Sequence, residues 1–167
     1  MAFDLDISKD ISKEERYKLL LPQIKALIKD EKNFLANISN ITSALKYSFE
    51  NFLWTGFYFT DDKNPAELVL GPFQGRVACT RIKYGQGVCG TSAANKETII
   101  VKDVKDFPGH IVCDSLSRSE IVVPVIKKGK VLGVLDIDSN VKCNFDKTDG
   151  KYLNLIVENI LYIFPDE

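Results

Sequence analysis

The chain has 167 residues, a net charge of −1 from 22 basic and 23 acidic side chains, and 45% apolar against 27% charged residues. Those values predict a folded chain with one ordinary core and exclude a disordered segment. Neither sign of charge is gathered into a block, which argues against nucleic acid and anionic membrane surfaces as partners.

The N-terminal stretch MAFDLDISKDISKEE is acidic and lacks a signal-type apolar run. No apolar run reaches the roughly 18–20 residues that span a bilayer. The expectation is a cytoplasmic protein whose thiols are kept reduced. Ser12-Lys13-Glu14-Glu15 has capping-box form, and Tyr17, Leu20, Leu21, Ile24, Leu27 and Ile28 follow at helical spacing. Pro22 is expected to kink that helix or to start a second one. Phe34, Leu35, Ile38, Ile41, Leu45 and Phe49 mark a further amphipathic helix.

After residue 50 the period shortens. Phe52–Phe59 reads as a strand, and Asp61-Asp62-Lys63-Asn64-Pro65 as the turn into another near Glu67–Leu70. A short strand fits Val77–Ile82, and Gly85-Gln86-Gly87 leads into a short helix over Val88–Asn95. Thr98–Val101 is a strand, followed by a long loop through Lys102–Ser117. Ile121–Ile126 and Lys130–Ile137 are strands joined by a Lys-Lys-Gly turn, and a closing helix begins near Phe145. Runs of strands with short turns imply an α+β fold, a mostly antiparallel central sheet with helices packed on one face.

Each of the four cysteines can be read as a small buried hydrophobe. Cys79 has apolar neighbours, which favours that reading. Cys89 lies at the start of the short helix, where free N–H groups and the helix dipole favour a thiolate. Cys113 lies in the long loop, and loops of that length are usually functional or mobile. His110 and three cysteines could supply four zinc ligands, but no C-x-x-C pair is present and the gaps are long and unequal, so no metal is expected. Asp136 and Asp138 point to one face of their strand. A three-residue turn at Lys127-Lys128-Gly129 would set Glu120 opposite Asp136, whereas a two-residue turn would send it to the other face. Acids gathered this way repel one another and raise a pKa. The N–H groups of the Gly85–Gly90 segment suit a small anion such as a carboxylate.

Ala78-Cys79, Gly85-x-Gly87-Val-Cys89-Gly90 and Phe107-Pro-Gly-His110-x-x-Cys113-Asp together resemble the free methionine-(R)-sulfoxide reductases. Trp54-x-Gly56-Phe-Tyr58, Ser119-Glu120-Ile-Val-x-Pro124 and Gly133-Val-Leu-Asp136-Ile-Asp138-Ser continue the likeness. That family is built on a GAF domain. The resemblance implies a single GAF domain over 1–167, with N-terminal helices about 12–49, sheet and active-site loops about 52–138 and a C-terminal helix about 146–164. It implies reduction of the R-sulfoxide of free methionine. Cys113 would be the nucleophile, passing through a sulfenic acid. Cys79 would resolve it to a disulfide, with Cys89 as a second candidate. Glu120, Asp136 and Asp138 would hold the substrate and its oxygen, and Trp54 and Tyr58 would wall its apolar part. No bound cofactor is implied; thioredoxin, with NADPH and thioredoxin reductase, would be the reductant. The family's stand-alone members are homodimers, and Cys143 falls outside the family pattern. The competing readings are a non-enzymatic GAF ligand-binding module, perhaps for a cyclic nucleotide, and a thiol redox sensor.

Overall fold

The computed structural model describes residue 5 and residues 10–165; the rest of the acidic N-terminal stretch and residues 166–167 lie outside them. Helix α1 (Lys13–Ile28) starts on the expected capping box, with Glu15 N–H donating to Ser12 Oγ at 3.2 Å and Ser12 N–H to Glu15 Oε2 at 2.9 Å. Pro22 lies inside this helix and starts no second one. Pro22 and Lys18 both sit on the exposed side, so the Lys18 carbonyl that loses its donor faces water. Helix α2 (Phe34–Ser48) is capped by Asn33 and buries Ile38, Ile41 and Leu45. Leu35, expected on that stripe, is exposed at the edge of the first turn.

Strands β1 (Phe52–Asp61) and β2 (Asn64–Gln74) form a hairpin closed by Asp61 opposite Asn64. The second strand starts earlier than expected because Pro65 lies outside the stretch that strand β3 (Arg81–Lys83) covers, and an edge tolerates its missing N–H. Strand β3 is only Arg81–Lys83; Val77 to Thr80 form a loop instead of the expected strand, with Val77 in solvent. Helix α3 (Gly87–Asn95), strand β4 (Ile99–Val101), strands β5 (Ser119–Lys127) and β6 (Lys130–Ser139), and helix α4 (Lys147–Ile160) complete the chain. The sheet runs β3-β2-β1-β6-β5-β4, antiparallel throughout.

The alternation of strand residues divides the interior into two layers. Phe57, Ile121, Val123, Val125, Leu135 and Ile137 face α1, α2 and α4. Tyr58, Val122 and Val134 face the other way, with Val88, Cys89 and Ala93 of α3 above them. The three long helices thus share one face, while α3 covers the opposite one. An extra residue at Leu53, where pairing shifts from Phe52–Ser139 to Trp54–Asp138, turns Phe52 into the first layer and Trp54 into the second. Each fully buried aliphatic or aromatic side chain contributes about 1.5–3 kcal/mol. The fully buried Asp149 locks α1 to α4, accepting from Lys13 Nζ at 2.6 Å and Tyr17 Oη at 2.9 Å.

Candidate active site

Lys127 pairs with Lys130 around a two-residue turn in which Lys128 (φ 51°) and Gly129 (φ 80°) both have positive φ. Of the two turns the sequence allowed, the two-residue one is present. A two-residue turn alone would carry Glu120 to the helix-packed face. Pairing shifts, however, from Ile126–Val131 to Val125–Gly133, so Leu132 is an extra residue in β6. That bulge advances the register by one. Glu120 then faces Asp138 directly and Asp136 diagonally, all on the α3 side.

Beneath α3 these acids meet Cys89. One ligand-type atom from each of Cys89, Glu120 and Asp136 lies within 4.8 Å of the others, and all three residues are buried. Burial, and secondarily the Asp138 charge, pushes the Glu120 carboxyl well above its usual range. Burial followed by the charges of Glu120 and Asp138 does the same for Asp136. Asp138 is pushed up to about 6, mainly by burial, against the lowering effect of the hydrogen bond donated by Ser117 Oγ to its Oδ1. Burial thus favours the protonated form of both Glu120 and Asp136. Asp136 Oδ1 is buried with no hydrogen-bond partner, and such an atom invites a ligand donor or acceptor. The thiol of Cys89 is driven up by burial and then by Asp136 and Glu120. The helix-start argument for a Cys89 thiolate therefore fails here, because burial and two acids outweigh the dipole.

Cys79 and Cys113 are joined by a disulfide, with Cα atoms 5.6 Å apart, while Cys89 is free and buried and Cys143 is free and exposed. The long loop carrying Cys113 is pinned at both ends: Val104 N–H donates to Arg118 O at 2.9 Å and Arg118 N–H to Ser139 O at 2.7 Å. Cys113 lines a cavity of about 30 Å³ together with Cys89, His110, Ser117, Glu120, Asp136 and Asp138. That volume admits roughly two waters. The amides of Gly87, Val88 and Cys89 begin α3 on the same cavity, and Gln86 supplies no side-chain cap to them. His110, whose pKa burial lowers, brings Nε2 to 3.3 Å from Glu120 Oε2.

Trp54 and Tyr58 are buried and lie outside the lining of this cavity. They hold the Cys79 loop from below: Tyr58 Oη donates to Cys79 O at 3.0 Å and Trp54 Nε1 to Arg76 O at 3.1 Å. A side chain at Gly56 or Gly75 would overlap the indole. The sequence reading did not find Ser117 as the partner of Asp138, nor Asp114, whose buried carboxylate lies 3.8 Å from Arg76. Loop serines and acids carry no periodic signal; His110, Cys113 and the length of the loop were what pointed to this segment.

The family model of the GAF domain matches residues 38–161. Fold and site together define a GAF domain bearing a cysteine pair over buried carboxyls. Over 158 residues the chain is 56% identical to GAF domain-containing protein A of Dictyostelium discoideum, covering 95% of this chain and 98% of that protein. It is 42% identical over 164 residues to the free methionine-R-sulfoxide reductase of Saccharomyces cerevisiae, covering 95% and 91% respectively. Among solved structures, the free methionine-R-sulfoxide reductase of Neisseria meningitidis in complex with its substrate superimposes with a TM-score of 0.92 at 45% identity, over 96% of this chain and 95% of that one. The chain belongs to the free methionine-R-sulfoxide reductases of the GAF-domain family.

Proposed function

We propose that this protein reduces the R-sulfoxide of free methionine to methionine, with Cys113 as nucleophile and Cys79 as the resolving thiol. The observation that carries the reading is the Cys79–Cys113 disulfide closing over three carboxyls that burial keeps partly protonated. The reduced Cys113 sulfur attacks the sulfoxide sulfur while a carboxyl of the Glu120–Asp136 pair donates to the oxygen. The sulfur–oxygen bond breaks as the protonated oxygen passes to Cys113 to give a sulfenic acid, the transient sulfur–sulfur bond breaks with its electron pair left on methionine, the thiol proton replaces the one the carboxyl gave, and methionine leaves two electrons richer. Cys79 then displaces hydroxide from Cys113, with its proton completing a water, and the disulfide returns. A dithiol of the thioredoxin type, drawing on NADPH through thioredoxin reductase, resets the pair.

The amides of Gly87 to Cys89 take the substrate carboxylate, and Asp138, ionised at neutral pH, takes the ammonium that distinguishes a free amino acid from a peptide. With the disulfide formed the cavity, at about 30 Å³, is too small for the amino acid, so breaking the disulfide releases the Cys79 and Cys113 segments, and Trp54 and Tyr58 then form the apolar wall. We place the protein in the cytoplasm, where thioredoxin-type reductants operate; among the described residues no helix is long and apolar enough to cross a membrane. The test is NADPH consumption through thioredoxin and its reductase with free R-sulfoxide, free S-sulfoxide and a peptide-bound sulfoxide. Turnover confined to the free R epimer is expected; turnover of the peptide at equal rate overturns the reading.

A further inference from the structure

Eight large apolar side chains among the described residues are exposed, and three of them belong to the two segments joined by the disulfide: Val77 at 87%, Val112 at 68% and Leu116 at 44%. Each lies within three residues of a bonded cysteine, so each Cα is within about 11 Å of a cysteine Cα. Scattered exposed apolar residues need no explanation, but three of them within three residues of one covalent bond do. Beside Val112 the surface opens into a groove of about 430 Å³, lined by Phe107, Lys105 and Arg118. Cys113 lines the inner cavity and Cys79 does not, and attack at Cys79 returns Cys113 as the free thiolate that the next turnover uses.

We propose that Val77, Val112 and Leu116 form a docking collar for a dithiol reductant protein of the thioredoxin class, with the Phe107–Arg118 groove as its continuation. This rests on the proposed catalytic cycle, in which the disulfide is broken at every turnover. The partner thiolate attacks Cys79 Sγ, the Cys79–Cys113 bond breaks, and Cys113 departs with the electron pair. The partner's second thiol then displaces Cys79 from the mixed disulfide. The partner is oxidised to its disulfide, and its two electrons and two protons end on the two cysteines. A small thiol needs only access to sulfur, whereas a protein must desolvate a surface around it, and apolar side chains are what make that favourable. A second copy of this chain seated permanently there would bar both reductant and substrate.

The experiment compares the full-length wild type with the double variant Val77→Lys/Val112→Lys. It measures the second-order rate constant for reducing the Cys79–Cys113 disulfide by reduced thioredoxin and, separately, by dithiothreitol. No sulfoxide is present, so the result stands apart from whether methionine sulfoxide is the substrate. The thioredoxin constant is expected to fall at least about tenfold, with the dithiothreitol constant unchanged within about twofold. Equal thioredoxin constants overturn the proposal, as does a parallel fall in both, which would mean a disturbed loop. Size-exclusion chromatography of both proteins supplies a second readout. A wild-type dimer that the variant converts to monomer assigns the collar to self-association and overturns it too.

Discussion

Glu120 and Asp138 sit directly opposite each other across the β5–β6 ladder, and they do so because Leu132 bulges out of register. Two acids placed as a buried cross-strand pair repel, and the fold holds them together by leaving protons on the cluster. The bulge is therefore the feature that builds the site: without it Glu120 would point into the layer beneath α1 and α4.

The cluster makes stability depend on pH in an unusual direction. Asp138 has a folded pKa of about 6 against 3.8 for the ordinary group. The folded protein binds this proton more tightly, so the contribution favours the native state at low pH and is lost as pH rises from about 4 through about 6. Asp138→Asn removes the titration and keeps an acceptor for Ser117. The variant should therefore gain stability relative to wild type by about 2–3 kcal/mol between pH 4 and pH 8. Urea unfolding of both proteins across that range measures it; a difference independent of pH would sink the argument.

The three inner cysteines should separate cleanly in single-turnover experiments. Cys113→Ser is expected to release no methionine from the R-sulfoxide. Cys79→Ser should release one equivalent and stop, with a sulfenic acid on Cys113 that a dimedone-type probe captures. Cys89→Ser should cycle, since its thiol is committed to Asp136 beneath the cavity and its pKa is raised by burial. If Cys89→Ser is instead the variant that stalls after one equivalent, the resolving role belongs to Cys89.

The helix starts, the strand sequence and the gathering of acids on β6 were legible because each rests on a local rule: capping chemistry, period and alternation. The site was legible in parts only. The face taken by Glu120 depended on counting a turn, and the two-residue turn together with the Leu132 bulge reached the expected face by a different route, exchanging Asp136 for Asp138 as its direct partner. Bulges leave little trace in composition. Cys79 looked like a core residue because Val77 and Ala78 precede it, yet Val77 is in solvent; adjacency in sequence does not report which side of a loop is covered. The link from Tyr58 to Cys79 joins residues 21 apart and has no sequence signature.

That link gives a kinetic prediction. Tyr58 Oη anchors the carbonyl of Cys79 itself, so Tyr58→Phe keeps the buried ring and frees the loop. Losing one part-buried hydrogen bond costs about 1 kcal/mol. The first step, methionine release at Cys113, should change less than threefold, while closure of the Cys79–Cys113 disulfide slows about fivefold, in line with that energy. Quenched-flow measurement of methionine release against thiol loss separates the two, and equal effects on both would show that Tyr58 serves the substrate instead.

Glu120 tests whether the cluster acts through its proton or its charge. It is buried, pushed toward the protonated form by burial and by Asp138, and touched by His110 at 3.3 Å. Glu120→Gln retains the shape and a hydrogen-bond donor but cannot transfer a proton. If the carboxyl supplies the hydrogen that stabilises the departing oxygen, kcat should fall about 10²–10³-fold, within the range for loss of a general acid, while KM changes little. Glu120→Asp, one methylene shorter, keeps a titrating group and should recover part of the loss, and its rate should decline at high pH as the cluster ionises. A kcat unchanged in Glu120→Gln with a raised KM would instead assign Glu120 to binding the ammonium, and the acid would have to be Asp136, whose Oδ1 lies buried without a hydrogen-bond partner in the disulfide-closed site.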